Sequence, residues 1–154
     1  MTLGRFIQAL GQSFEAYHGS GASKPITNFR PGTFFAKDQD LADSYSTNMG
    51  DGLTEHVSLD PKNPLRIYHK NFLQVAEEAG YGEQVLENIR RHDDGYGVGN
   101  TLGGEFDLLV KWAQSRGYDL LEFQDPDFTN SYYGETYLVV DPSIITHIKT
   151  GRAS

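Results

Sequence analysis

The chain has 154 residues, no cysteine and a formal net charge of -8 at pH 7. A chain of this length can bury enough surface to fold as one domain without a disulfide or a metal. The absence of thiols excludes both a thiolate nucleophile and zinc sites built from cysteine. The acidic balance disfavours a protein whose affinity comes mainly from neutralising phosphates, so broad binding of nucleic acid is not expected.

Hydropathy along the chain indicates a soluble domain. No apolar run approaches the roughly 20 residues that a membrane span needs, and the N-terminus lacks the long apolar region of a secretory signal. We therefore predict a single domain over residues 1–154, with residues 1–12 as a short amphipathic lead-in helix. A cytoplasmic location is expected, and delivery of the protein into a host or target cell is left open.

Two short strands flank a polar loop near the start of the chain. Ser13–Tyr17 alternates polar and apolar residues, which predicts a strand that enters a turn at His18–Ser20. Gly19–Pro31 is rich in Gly, Ser, Pro and Asn, so it predicts a loop. Thr33–Ala36 is β-branched and aromatic and predicts the second strand. Loops of this kind commonly carry binding residues.

A helix is predicted directly after the second strand. Asp38 can cap its N-terminus, and Leu41 and Tyr45 are four residues apart, so they share one face of the helix. Tyr45 can therefore point back over the strand that ends at Ala36. This spacing allows one concave site, lined by His18, by Phe34 or Phe35, and by Tyr45.

The rest of the chain mixes helices and strands. Further strands are predicted over Thr54–Leu59, Leu65–Ile67, Tyr118–Phe123, Thr136–Val140 and Ile144–Ile148, and helices over Phe72–Ala79, Glu83–Arg91 and Leu102–Ala113. The apolar run Tyr137–Val140 is typical of a central strand that is covered on both faces. The glycine-rich stretch His92–Gly104 follows a helix rather than a strand and lacks the spacing of a phosphate-binding loop, so it is interpreted as a mobile loop.

Three separated motifs agree with one family. They are His18-Gly19-Ser20, the segment Gly32–Ala36 with Ala42 and Tyr45 after it, and the closing segments Gly117–Phe123 and Tyr137–Ile145. Together they resemble the ADP-ribosyltransferases of the diphtheria-toxin and poly(ADP-ribose) polymerase class, most closely the small domain of this class in phage and mobile-element polyvalent proteins. The resemblance spans roughly residues 14–149. It implies an α+β fold, a split β-sandwich of two mostly antiparallel sheets with flanking helices.

The resemblance also implies NAD+ as the substrate, with no metal. His18 would hydrogen-bond the adenosine ribose, and Ser20 would add a polar contact. Gly19, which has no side chain, would pair its backbone with the nicotinamide carboxamide, and Tyr45 would stack on the nicotinamide ring. Phe34 stands where the polymerases have a second Tyr, so the aromatic wall is kept while its hydroxyl is lost. Phe35 and Ala36 of the same strand are also expected to contact NAD+.

The catalytic carboxylate departs from the family pattern. In the related polymerases a Glu directly precedes the Tyr of the closing strand, whereas this chain has Thr136 there and Glu135 one residue earlier. A shift of one residue turns a strand side chain to the opposite face. Either a bulge around Gly134 turns Glu135 into the site, or the site is a His-Tyr-Thr variant with altered activity. Glu135 is the predicted catalytic acid, and Glu122 is the second candidate.

The sequence therefore predicts a monomeric mono-ADP-ribosyltransferase that transfers ADP-ribose from NAD+ to an acceptor and releases nicotinamide. Two alternatives stay open. One is an NAD+ glycohydrolase, and the other is a catalytically inactive module that binds NAD+, ADP-ribose or a protein. A protein acceptor is favoured by the acidic surface, with nucleic acid and small molecules left open. A toxin or effector role suits a compact transferase domain.

Overall fold

The computed structural model of the protein describes residues 12–48, 52–91, 101–126 and 133–152. The predicted lead-in helix, apart from Gln12, and residues 92–100 of the glycine-rich loop lie outside these residues. The strands are β1 (Phe14–Ser20), β2 (Thr33–Ala36), β3 (Leu53–Leu59), β4 (Pro64–Arg66), β5 (Leu120–Pro126), β6 (Tyr133–Val139) and β7 (Ile145–Arg152). The α-helices of the described part of the chain are α1 (Gln39–Asn48), α2 (Phe72–Ala79), α3 (Glu83–Arg91) and α4 (Asp107–Ser115), and a 3-10 turn spans Pro142–Ile144. No helix within these described ranges has the length and apolar character that a membrane crossing requires.

The seven strands found in the described residues belong to one mixed sheet in the order β4-β5-β6-β2-β1-β3-β7. Only β4 and β5 run parallel, and the other neighbours are antiparallel. The protein is therefore an α+β protein, as expected, but its strands are not divided into two separate sheets. The reason is a single registered pair, Tyr17 opposite Ala36, which joins the four-strand half (β4, β5, β6, β2) to the three-strand half (β1, β3, β7).

The two faces of the sheet carry different residues. Register places the side chains of Ala16, His18, Phe35, Val57 and Tyr137 on one face, here named the His18 face. The opposite face packs on the helices and is named the helix face. Its residues include Tyr17, Gly19, Phe34, Ala36, Phe123, Thr136 and Leu138.

The His18 face is closed at one end by apolar packing between the two halves. The Phe14 ring of β1 lies 4.9 Å from the Tyr137 ring of β6, centroid to centroid. In a flat sheet with the observed register their backbones would be roughly 15 Å apart, because two strand spacings and several residues separate them. The two halves must therefore fold toward each other over this face. The contact between Phe14 and Tyr137 therefore joins the two halves of one continuous sheet by side-chain packing.

Three local expectations need correction. The turn predicted at His18–Ser20 is absent, since these residues continue β1 and pair with Leu53–Glu55 of β3. Helix α4 begins at Asp107 rather than at Leu102, because Gly103 and Gly104 have φ values of +66° and +79°, which interrupt a right-handed helix. Strand β6 begins at Tyr133, three residues before the predicted start, and its apolar run is buried as predicted.

Candidate functional site

His18 lies on β1 opposite Glu55 of β3, and its ring is partly buried. Its Nδ1 lies 2.6 Å from the carbonyl oxygen of Phe34. A carbonyl can only accept, so Nδ1 carries the proton, and Nε2 of the neutral ring is an acceptor. Burial lowers the pKa of the His18 imidazole, although the bond to Phe34 and the charge of Glu55 act to raise it. The ring is therefore neutral at pH 7 and offers Nε2 as an acceptor.

Aromatic rings surround His18 on its own face. The Phe29 ring lies 5.8 Å from the imidazole centroid, and the Phe35 ring lies 5.5 Å from it. Phe29 and Phe35 also contact each other, with centroids 5.1 Å apart. Phe29 belongs to the loop between β1 and β2, so its ring anchors this loop on the sheet. The loop packs directly against the candidate histidine.

Beyond the pair of Tyr17 with Ala36, β1 and β2 have no further registered pair among the described residues. Continuing that register would place His18 opposite Phe35 and Gly19 opposite Phe34, but neither pair is formed within the described residues. The unpaired segments, His18–Ser20 of β1 and Thr33–Phe35 of β2, are here named the wedge. The imidazole of His18 bridges the wedge through its bond to Phe34. A backbone edge that is free of a neighbouring strand can receive a ligand.

Gly19 is in very close contact with α1. A Cβ atom at Gly19 would lie 1.8 Å from the carbonyl oxygen of Ala42 and 3.1 Å from the backbone nitrogen of Ser46. Only glycine allows this approach of helix to strand. Helix packing therefore explains Gly19 independently of any ligand. Ser20 is used locally, because its Oγ accepts the backbone N–H of Ala22 at 3.2 Å.

Tyr45 lies on α1 and is partly buried on the helix face. It packs with Tyr17 against the small cluster of Ala36, Leu41 and Ala42. Phe34 also turns to the helix face, where its ring lies 4.7 Å from Phe106. The single site suggested by spacing is thus divided. His18 and Phe35 share one face, whereas Phe34, Ala36 and Tyr45 lie on the other, and the wedge is where the two groups adjoin.

Glu135 faces the same side of the sheet as His18 and Tyr137, because β5 and β6 pair in unbroken register around it. No bulge at Gly134 is needed to turn it there. Its Oε1 lies 3.6 Å from the Arg66 guanidinium, and its Oε2 lies 3.7 Å from Lys37 Nζ and 3.4 Å from the Tyr137 hydroxyl. Only 10% of the side chain is exposed.

Glu122, the second candidate, occupies the neighbouring row on β5. Its Oε1 lies 2.6 Å from Arg66 Nη1, and its side chain is 3% exposed. Two carboxylates, Glu122 and Glu135, therefore share one buried guanidinium. Arg66 was not among the sequence-predicted residues, since a single arginine in the short strand Pro64–Arg66 carries no motif.

Glu55 is the main site residue that sequence reasoning missed. It is fully buried on β3 beside His18, with 0% exposure. The carboxylate accepts the Ile26 N–H at 3.0 Å, His147 Nε2 at 2.8 Å and the Thr150 hydroxyl. Burial acts to raise the pKa of Glu55, but these hydrogen bonds outweigh it and hold the pKa below its ordinary range. Glu55 therefore ties the loop that carries Phe29 to the three-strand half.

Thr136 faces away from His18. It pairs with Ala36 and Phe123, is 2% exposed, and its hydroxyl has no hydrogen-bond partner among the described residues. We predict that Thr136→Val leaves the expected turnover of NAD+ unchanged. It should raise the free energy of unfolding by about 1 kcal/mol, because it removes a buried hydroxyl that has no hydrogen bond. Urea unfolding measures this change.

Thr54 offers a matched control for Thr136. It is equally buried, but its hydroxyl donates to Asp43 at 2.7 Å. Thr54→Val should therefore be destabilising, by about 1–3 kcal/mol. If Thr136→Val abolished turnover while leaving stability unchanged, the His-Tyr-Thr variant of the site would be favoured over Glu135.

Comparison of the chain with protein-family models, with curated proteins and with solved structures finds no match. The site must therefore be interpreted from its own geometry and from the motif resemblance. Within the described ranges, no group of three or more His, Cys, Asp or Glu side chains is arranged to hold a metal ion.

Proposed function

We propose that the protein is a mono-ADP-ribosyltransferase that takes ADP-ribose from NAD+ and releases nicotinamide. The observation that carries the proposal is the wedge between β1 and β2. It opens at His18–Ser20, beside a neutral imidazole with an available acceptor. A largely buried carboxylate, Glu135, faces the same side of the sheet from β6, two strands away from β1.

The tautomer of His18 supports a role in binding ribose. Because Nδ1 donates to the Phe34 carbonyl, Nε2 can accept a hydrogen bond from a ribose hydroxyl. The same bond fixes the ring plane before the ligand arrives, which lowers the entropy lost on binding. Nicotinamide in the wedge would meet the backbone of Gly19 and, from the helix side, the ring of Tyr45.

The proposed chemistry needs a negative charge near the ribose. As the bond between C1′ and the nicotinamide nitrogen breaks, its electron pair leaves with nicotinamide and positive charge develops on the ribose. The acceptor's lone pair forms the new bond to C1′, and the acceptor's proton passes to solvent. A carboxylate held in a largely buried position stabilises this developing charge. Glu135 is the residue to which we assign this role.

A second candidate function is a module that binds NAD+ or ADP-ribose without turnover. The observation that favours it is the engagement of Glu135 by Lys37 and Arg66, which already offsets its charge. A carboxylate whose charge is already offset by two cations is less able to stabilise the positive charge that develops on the ribose. Hydrolysis of NAD+ is a third outcome and differs only in having water as the acceptor.

Turnover of NAD+ by defined variants tests the proposal. We expect Glu135→Gln to lower kcat for nicotinamide release at least about 100-fold while NAD+ still binds, because a carboxylate that stabilises the transition state is removed. His18→Ala and Tyr45→Ala should abolish release through lost binding. His69→Ala, an exposed histidine, is the matched control and should behave as wild type. Chromatographic assay of nicotinamide and calorimetry with NAD+ provide the measurements.

The products separate the alternatives. ADP-ribose attached to an acceptor supports the transferase, and free ADP-ribose at many turnovers with NAD+ alone supports the hydrolase. Calorimetric binding without turnover, in both wild type and Glu135→Gln, supports the binding module. Neither binding nor turnover in the wild type would contradict all three.

The pKa of His18 predicts how NAD+ binding depends on pH. Since burial lowers this pKa, the ring stays neutral to below about pH 6.5, the ordinary value for histidine. Protonation then removes the Nε2 acceptor, so affinity for NAD+ should fall as the pH falls through the lowered pKa. Stability should fall in the same direction, because below about pH 6.5 the unfolded chain binds the proton more readily. Calorimetry from pH 8 to pH 5 on wild type and His18→Gln measures the difference.

A further inference from the structure

We propose that Arg66 is a positioning residue: pinned by Glu122, it holds the Glu135 carboxylate in place on the His18 face. The inference rests on the proposed function of Glu135. It assigns a role to Arg66, which the motif resemblance does not include, and a different role to Glu122, the second candidate for the catalytic acid. It concerns how the carboxylate is held, not whether it touches NAD+.

The contacts define a chain of charges across three strands. Arg66 Nη1 lies 2.6 Å from Glu122 Oε1 and 3.6 Å from Glu135 Oε1. Register explains the arrangement, since Arg66 on β4 lies opposite Glu122 on β5. Glu135 on β6 lies two residues from Tyr137, the partner of Glu122, and so faces the same side of the sheet. The exposed fractions of these side chains are 9%, 3% and 10%.

Stability alone does not account for this cluster. A buried ion pair gains little over well-packed apolar side chains of the same volume, because removing two charges from water offsets their attraction. A third buried charge, on Glu135, makes the arrangement still more costly unless it serves another purpose. Fixing the position of Glu135 is such a purpose.

Arg66 is better suited to positioning than Lys37, the other cation near Glu135. Lys37 is 55% exposed and reaches the carboxylate with a flexible stem at 3.7 Å. The guanidinium is planar and buried, and its own orientation is set by Glu122. Arg66 lies 3.6 Å from Oε1, whereas Lys37 and the Tyr137 hydroxyl lie beside Oε2, so each oxygen of the carboxylate has a cation near it. Rotation of the carboxylate would break one set of contacts or the other.

Paired variants test the role. Arg66→Met alone would leave Glu122 buried and uncompensated, so the informative variant is Arg66→Met combined with Glu122→Gln, which removes one charge of each sign. We expect kcat for nicotinamide release to fall about 10- to 100-fold, the size of effect that small misplacement of a reacting group produces. KM for NAD+ should change less than about threefold, because the binding groups are untouched. The single variant Arg66→Lys, which keeps the positive charge, should lose less kcat than the double variant.

Arg90→Met is the matched control, since Arg90 makes surface ion pairs with Glu83 and Glu87 on α3. It should leave kcat and KM unchanged. The positioning role would be overturned if the double variant lost kcat and NAD+ affinity equally. It would also be overturned if kcat of Arg66→Lys were no higher than that of the double variant.

A crystallographic arm is independent of the proposed function. In the folded double variant the Glu135 carboxylate should leave its wild-type position or occupy more than one. An unmoved, well-ordered carboxylate overturns the inference whether or not the wild type turns over NAD+. If the wild type is inactive but the carboxylate moves as expected, the proposed function fails while the positioning by Arg66 stands.

Discussion

Gly19→Ala is expected to destabilise the protein by more than about 4 kcal/mol, a loss found only for a few severe mechanisms. The new Cβ would lie 1.8 Å from the Ala42 carbonyl oxygen and 2.7 Å from its carbon. These are backbone atoms of α1, so no side-chain rotation can relieve the clash. The helix would have to move away from β1, and the cluster of Ala36, Leu41 and Ala42 would open. Urea unfolding followed by circular dichroism measures the loss.

Gly151 is the matched control for this substitution. It also lies in a strand, β7, but a Cβ there would meet nothing within 4 Å. Gly151→Ala should therefore change stability by no more than about 0.5–1 kcal/mol, and toward greater stability. A Gly19→Ala protein that kept its stability but lost NAD+ binding would contradict the packing account and would favour a direct ligand contact.

Glu55→Ala is expected to lower the free energy of unfolding by about 3–5 kcal/mol, the cost of breaking a buried charged network by removing one partner. The Ile26 N–H, His147 and the Thr150 hydroxyl would all lose their acceptor. The loop between β1 and β2 would lose its tether, so Phe29 should leave the rings of His18 and Phe35. Urea unfolding gives the energy, and hydrogen exchange at Ile26 reports the released loop.

Two further variants control for the loss at Glu55. Glu55→Gln keeps the shape of the side chain and one acceptor oxygen, so it should lose less stability than Glu55→Ala. Glu15→Ala removes an exposed carboxylate on β1 and should lower the free energy of unfolding by no more than about 0.5 kcal/mol. The pKa of Glu55 is lowered, so its stabilisation is present above about pH 4.3 and is lost as the pH falls through the folded-state pKa. The gap between wild type and Glu55→Gln should therefore narrow in acid. Equal stability of Glu55→Ala and wild type would contradict the tether.

Local patterns in the sequence predict most of the strands. Alternation places Val57 and Leu59 inward, and both are fully buried. The same alternation puts Glu55 on their face, so a signal for this buried acid was present in the sequence. It is easily overlooked because burial of a carboxylate depends on partners such as His147 and Ile26, which are distant in sequence.

Cross-strand geometry could not be predicted in this way. Period-two alternation shows that Glu135 and Tyr137 share a face, but which face His18 shares depends on the pairing of β1 with β2. The family pattern places the catalytic position at Thr136, whereas the observed register puts Glu135, and not Thr136, on the His18 face. Likewise, spacing places Tyr45 near the second strand without showing that Phe34 and Phe35 lie on opposite sides of it. Register between distant segments is set by tertiary packing, which one sequence does not reveal.

The single registered pair between Tyr17 and Ala36 divides the sheet into two backbone ladders with a seam between them. In most sheets many main-chain hydrogen bonds hold neighbouring strands together. Here the contact between the two ladders depends largely on side chains, such as Phe14, Tyr137 and His18. A molecule lodged in the wedge would touch both ladders at once. Its binding free energy would then stabilise the contact between the two ladders directly.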